Sequence, residues 1–323
     1  MAVRIVTGDG HWGYGRQLHA ALSAASIRAE MYSLADWQAG GAPGSPEQDI
    51  VVVQQDDATH IAPAYGAIAV QDGCAYERLL REGASAEEEA ASMAQQRAAR
   101  RGRTFRVSTT AWAAWHLRLH ANATTDRIIY DAVDTERLFP SERQRERKEK
   151  HPLVLHGCGA SRQGADHVAA IAAALKDRGF QLKALSDMQG ALAERLRSAD
   201  MWLSLSSTGG DESAIIKAMA TDLMVVGTNA GRLWSLTAGR PVGNHYAPTL
   251  AWANADAGTL AFPWQLRANA RAVAEWIAAA WKARAALHPR PYALQWHSLE
   301  VFGRKWLEAI RLAADRFGVK LGG

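Results

Sequence analysis

The residues whose types and spacing best suit chemistry are Gly209-Gly210-Asp211-Glu212-Ser213, which lie between two apolar runs. Met201 to Leu205 reads as a short strand, and Ile215, Ile216 and Met219 give the next stretch one apolar helical face. The loop thus leaves a strand and opens a helix. The first turn of a helix has backbone N–H groups without intrahelical partners and the positive end of the helix dipole, so it binds phosphate. Asp211 and Glu212 have two roles open to them: stabilising that dipole, or accepting hydrogen bonds from ribose or sugar hydroxyls.

Other loops follow predicted strands in the same way. Gly8-Asp9-Gly10-His11-Trp12-Gly13-Tyr14-Gly15-Arg16 holds four glycines in eight residues. That lets the backbone approach a ligand, though the order is not the dinucleotide fingerprint, and a plain turn fits as well. In Gln71-Asp72-Gly73-Cys74, Asp72 is the preferred acidic cleft residue, with a turn-forming role as the alternative. His156-Gly157-Cys158-Gly159-Ala160-Ser161-Arg162-Gln163-Gly164 combines small residues with Arg162, a pairing that suits a diphosphate, or else glycines that only pack. His11, His60, His156 and His245 are scattered and read as structural or surface residues rather than metal ligands. No Ser-His-Asp order, HExxH or P-loop lysine motif occurs.

The elements that must carry these loops alternate. Strands are predicted at Val3–Val6, Ile50–Gln54, Ala67–Gln71, Phe105–Ser108 and Arg127–Tyr130, with helices over Gly15–Ala25, Ser85–Arg100 and Thr110–His120. The pattern restarts with strands at Leu153–His156, Gln181–Leu185, Met201–Leu205 and Met224–Val226, and helices at Ala165–Lys176 and Met188–Ser198. After Pro263 it is helical to the end, with tryptophans that read as packing residues. Such alternation predicts an α/β fold of two doubly wound, Rossmann-like domains with ligand loops at the carboxyl ends of the strands. The charged stretch Pro140 to Pro152 marks the expected boundary between them.

Composition narrows the class. Of 323 residues, 48% are hydrophobic and 22% charged, as in a soluble globular protein. No run reaches the roughly 20 apolar residues that span a bilayer, and MAVRIVTGDG enters a strand directly, so a cytoplasmic protein without a secretory leader is expected. Cys74 and Cys158, outside any CxxC, read as reduced thiols, and no structural zinc site is expected. The net charge of +4 permits an acidic partner without requiring one. Arg97, Arg100, Arg101, Arg103 and Arg106 form a basic cluster that is either an exposed face or a polyanion contact.

Several segments together resemble the GT-B glycosyltransferases, and within them the retaining family 4. "DRIIYDAVDTERLFP" is the most specific match, and "WGYGRQLHAAL", "FRVSTTAWAAWHL", "LVLHGCGASRQGADHVAAI", "ADMWLSLSSTGGDESAIIKAMATDLMVVGTNAG" and "WHSLEVFGRKWLEAI" extend it over most of the chain. The resemblance implies an N-terminal acceptor domain over residues 1–145, a nucleotide-sugar donor domain over 146–302, and a terminal helix from about 303 to 323 that crosses back to the first. It implies metal-independent transfer of a sugar, with retention, from a UDP- or GDP-sugar, no further cofactor being needed. The donor contacts it implies are Gly13, Tyr14, Gly15, Gly159, Arg162, Gln163, Asp211, Glu212, Ser213, Ala214, Ile215 and Lys217. Asp72, the preferred acidic cleft residue, is the expected catalytic carboxylate.

The chain departs from the family at its paired glutamates, which would fall on Gly209 and Lys217, and at a lysine replaced by Gln163 beside Arg162. The expected acceptor is a glycan or other hydroxyl compound. Two alternatives stay open: a modified base in duplex DNA, held by Arg97, Arg100, Arg101 and Arg103, and a non-catalytic nucleotide-sugar binding protein.

Overall fold

The computed structural model of the chain describes residues 2–7, 12–40, 45–54, 58, 61–71, 90, 103–142, 151–157, 165–205, 212–229, 252–254, 259–262 and 269–320. Two compact units emerge, Met1–Ala132 with Leu299–Gly323, and Val133–Ser298. In chain order the first contains β1 (Val3–Thr7), α1 (Trp12–Ala24), β2 (Ala29–Ser33), α2 (Leu34–Gly40), β3 (Ile50–Gln54), β4 (Gly66–Gln71), β5 (Thr104–Ser108), α3 (Ala111–Ala121) and β6 (Arg127–Ile128). The second contains β7 (Leu153–His156), α4 (Ala165–Lys176), β8 (Gln181–Ala184), α5 (Leu192–Arg197), β9 (Met201–Ser204), α6 (Glu212–Ala220), β10 (Met224–Thr228), β11 (Trp252–Asn254), β12 (Thr259–Phe262), α7 (Ala270–Lys282) and α8 (Pro289–His297). The last helix, α9 (Leu299–Phe317), belongs to the first unit.

The first unit is built on a parallel sheet in the order β2-β1-β3-β4-β5-β6. Its central strands are apolar along their length because both faces are covered. On one face Ile5, Val52, Ile68 and Phe105 pack with Leu18 and Leu22 of α1 and with Phe302, Trp306 and Ile310 of α9. On the other, Val6, Val51, Val53 and Ala69 pack with Trp37 of α2 and with Ile61 and Tyr65. Helix α9 buries Phe302, Trp306, Ala309, Ile310 and Ala313, the three- and four-residue spacing of a single apolar stripe. Thr110 starts α3 by accepting a hydrogen bond from the Ala113 amide at 2.9 Å.

The second unit has the sheet order β11-β12-β10-β9-β7-β8, parallel except for the antiparallel pair β11–β12. Leu153, Leu155, Trp202 and Val225 pack against Ile215, Ile216 and Met219 of α6 and Ala293 of α8. The opposite face carries Val154, Leu203 and Val226 beneath Ile171 and Leu175 of α4 and Val273 and Ile277 of α7.

The structure corrects some element assignments. The helix expected over Met188–Ser198 begins only at Leu192. Gly190 adopts φ +91°, which ends any helical run, and the Ala191 amide donates to the Glu194 carboxylate at 3.0 Å to start α5 afresh. The strand expected at Arg127–Tyr130 pairs only at Arg127–Ile128. The sequence pattern does not predict strands β2, β11 and β12 or helix α2; each is short, β2 and β11 are edge strands, and β12 lies next to the edge between β11 and β10. Apart from Ala90, the helix expected over 85–100 lies outside the described residues, as do residues 143–150 of the expected boundary.

Candidate functional site

Each unit has its own switch in strand order. β1 is flanked by β2 on one side and β3 on the other, and β7 likewise by β8 and β9. Connections leave such a first strand in opposite directions, and the gap between them at the carboxyl ends is where doubly wound sheets bind ligands.

Buried polar side chains gather at those ends. In the first unit they are Thr7 at the end of β1, Gln71 at the end of β4, and Ser108, Thr109 and Thr110 after β5. In the second they are His156 ending β7, Ser204 ending β9, and Thr228 with Asn229 closing β10. Among the described residues, nothing hydrogen-bonds Thr7 Oγ1, Gln71 Oε1 or His156 Nδ1. A buried polar atom without a partner costs about 1–3 kcal/mol, so such atoms mark places where a bound group would be stabilising. Other orphaned atoms, such as Trp202 Nε1 within β9 and Thr259 Oγ1 at the start of β12, lie away from these ends.

No family model matches the chain, and no curated protein sequence matches it. Solved structures do match over nearly its whole length. Sucrose-phosphate synthase from Thermosynechococcus elongatus superposes with a TM-score of 0.71 at 12% identity, covering 98% of this chain and 100% of the other. HepE of Anabaena, solved with UDP and glucose, gives 0.62 at 12% identity over 95% and 99% of the two chains. WaaG, a glycosyltransferase involved in lipopolysaccharide biosynthesis, gives 0.61 at 14% identity over 96% and 99%. The fold is GT-B. These neighbours are GT-B glycosyltransferases.

Within this GT-B chain, the residues singled out in the sequence fall into distinct settings. Gly13, Tyr14 and Gly15 lie in the first turn of α1. At Gly15 a Cβ would stand 2.8 Å from Thr7 Cγ2, so glycine lets α1 close onto the end of β1. The Tyr14 ring meets Phe302 and Trp306 edge-on at centroid distances of 5.6 and 6.2 Å. Its hydroxyl accepts a hydrogen bond from Trp306 Nε1 at 3.1 Å. Glu212 is the first residue of α6; Ser213 is exposed, Ala214 half-buried, and the Ile215 side chain lies in the apolar cluster beneath the helix. Lys217 sits half-buried in the last turn of α6. Arg103 has φ +47°, donates to the Phe317 carbonyl at 3.1 Å and lies over that residue's ring. Asp72, Gly159, Arg162, Gln163, Asp211, Arg97, Arg100 and Arg101, like Cys74 and Cys158, lie outside the described residues.

The setting of Tyr14 leads to a test. Tyr14→Phe removes the acceptor for a fully buried indole N–H and is expected to destabilise the protein by about 1–3 kcal/mol in urea unfolding. A packing role leaves nucleotide affinity unchanged in this variant, whereas a tenfold loss would return the hydroxyl to the donor site.

His156, read from the sequence as a structural or surface residue, is buried with an unpartnered nitrogen. Burial holds its imidazole below the usual histidine range, with Asp187 pulling weakly the other way. Nothing in its type signals this. Its position as the last residue of the first strand, just before a glycine loop, was the available clue. Among the described residues, no cluster of three or more His, Cys, Asp or Glu side chains could hold a metal ion, and no helix is long and apolar enough to cross a membrane.

Proposed function

We propose that the chain is a glycosyltransferase that moves a sugar from a nucleotide-sugar donor to a hydroxyl of a glycan or similar acceptor. The observation that carries this reading is the end-to-end likeness to GT-B glycosyltransferases, 98% of this chain against 100% of the nearest in shape reported above. HepE's complex with UDP and glucose supports a uridine nucleotide as the first donor to try. In this reading the second unit holds the donor and the first unit the acceptor, without a metal and with retention, as the resemblance to family 4 implies.

The chemistry asked of the chain is then specific. The bond between the sugar's anomeric carbon and the terminal phosphate oxygen breaks, and the acceptor oxygen bonds to that carbon on the same face. Charge gathers on the departing nucleoside diphosphate. Without a metal, its stabilisation falls to fixed donors: the first-turn amides of α6, with Arg162 and Lys217 as cations. Asp72, which follows the last residue of β4 in sequence, is the carboxylate assigned to the acceptor's proton. Lys217, where the family has a glutamate, replaces a ribose acceptor with a cation and shifts recognition toward phosphate.

A thermal-shift and calorimetric screen of UDP- and GDP-sugars tests the proposal, since a ligand of the native state raises its stability. Binding of at least one sugar nucleotide, and slow release of free sugar from it, is the expected result. No binding at millimolar concentration and no release would reject it. Arg162→Ala and Lys217→Ala are each expected to weaken nucleoside-diphosphate binding about tenfold, or about 1.4 kcal/mol. Unchanged affinity would remove the residue concerned from the site.

A further inference from the structure

We propose that His156 is a ligand for the donor's diphosphate and takes up a proton when that diphosphate binds. The proposal rests on the nucleotide-sugar reading of the second unit and adds a residue of this chain's own to it.

His156 ends β7 at the point where strand order reverses, in register with Leu203 of the adjacent β9. The chain beyond it leads to α4, a helix of 12 residues whose first-turn amides are themselves phosphate donors. The residue is only 6% exposed, and its Nδ1 has no hydrogen-bond partner among the described residues. Any apolar residue would fill this strand end without that penalty. In the tautomer that carries the proton on Nδ1, this histidine gains a partner when something with lone pairs arrives, and phosphate oxygens supply them.

The surroundings fix its charge. From the turn after β8, Asp187 acts on the ring and favours protonation. Among the described residues, β9 otherwise presents Leu203, and the helices over this face contribute Ile171 and Leu175 from α4 and Val273 and Ile277 from α7, all apolar. Desolvation outweighs the single carboxylate, so the free protein holds a neutral imidazole at neutral pH. A neutral imidazole gives one N–H to a phosphate oxygen. The diphosphate's negative charges then stabilise the imidazolium, so binding draws a proton from solution, and by linkage affinity rises as pH falls.

The experiment uses UDP-glucose and GDP-mannose, whose diphosphates are diesters that do not titrate near neutrality. Binding to the whole protein is measured calorimetrically from about pH 7.5 to about pH 5.5, in two buffers of different ionisation enthalpy at each pH. The expected result is proton uptake by the wild type and an affinity that rises roughly three- to tenfold as pH falls. His156→Gln keeps a hydrogen-bonding amide but cannot titrate. It is expected to bind within about threefold of wild type at the upper pH, with no proton uptake and a flat profile. Proton uptake that survives in His156→Gln overturns the proposal. So does a wild type that binds donor with no uptake, a result that needs no variant to fold. If neither sugar nucleotide binds the wild type at any pH, the nucleotide-sugar reading fails and this inference fails with it.

Discussion

Asp49→Ala is expected to destabilise the first unit by about 3–5 kcal/mol, read as a lowered midpoint of urea unfolding. Arg4 is the second residue of β1, and its side chain is buried. Asp49 meets it at 3.2 Å, also accepts the Ala2 amide at 2.8 Å and the Ser45 amide at 3.2 Å, and is itself buried. Removing the carboxylate strands part of a buried cation and two amides at once. Glu30 and the Tyr32 hydroxyl remain on Arg4, which sets the cost toward the lower end of that range. The contrast is Glu275→Ala, which removes an exposed carboxylate shared by Arg178 and Arg271 and should change stability by less than about 1 kcal/mol. The same network has a pH signature. Glu30 is held below the usual carboxylate range, first by the Tyr32 hydroxyl and then by Arg28. A depressed carboxylate stabilises the fold above its ordinary range, and that contribution is lost as pH falls through the folded-state value. Loss of this unit's stability on acidification should therefore be smaller in Glu30→Gln.

Arg290→Ala should cost the second unit about 3 kcal/mol or more and weaken donor binding as well. The Arg290 guanidinium donates to the carbonyls of Leu138 at 2.6 Å, Thr135 at 3.0 Å and Ala220, and its amide donates to Asp222 at 3.2 Å. Ala220 is the last residue of α6, so a cation closes that helix at its negative end. Without it three carbonyls lose their donor, and the helix whose first turn faces the proposed diphosphate loses its anchor. Arg290→Lys is not expected to rescue, because a single ammonium cannot reproduce a planar fork that spans three acceptors. Stability loss with unaltered nucleotide affinity would show that α6 keeps its place without the clamp.

The doubly wound pattern was legible because the central strands are buried on both faces and read as continuous apolar runs, as Ile50 to Val53 do. Ala29–Ser33 was not legible for the opposite reason. Every residue of that edge strand is half-buried, so neither an apolar run nor a clean alternation appears. The helix predicted from Met188 failed on a glycine whose positive φ composition does not announce. The loops after strands were readable as ligand loops from their glycines, but the partners of the side chains flanking them were not. Tyr14 looks like a loop residue in sequence, and its hydrogen-bond donor, Trp306, is 292 residues away. His156 looked inert because the missing partner of a buried nitrogen can be recognised only once its neighbours are placed.

The return of α9 to the first unit has a consequence for biosynthesis. Residues 133–298 emerge from the ribosome before the helix that completes the first core, a delay of roughly 10–30 s at ordinary elongation rates. Through that interval the sheet face that will receive Phe302, Trp306 and Ile310 has, among the described helices, α1 alone to cover it. The second unit, contiguous in sequence, can fold first, while the first waits with apolar surface open to chaperones or to other nascent chains. Cutting this gene at the unit boundary would turn that passing exposure into a permanent one.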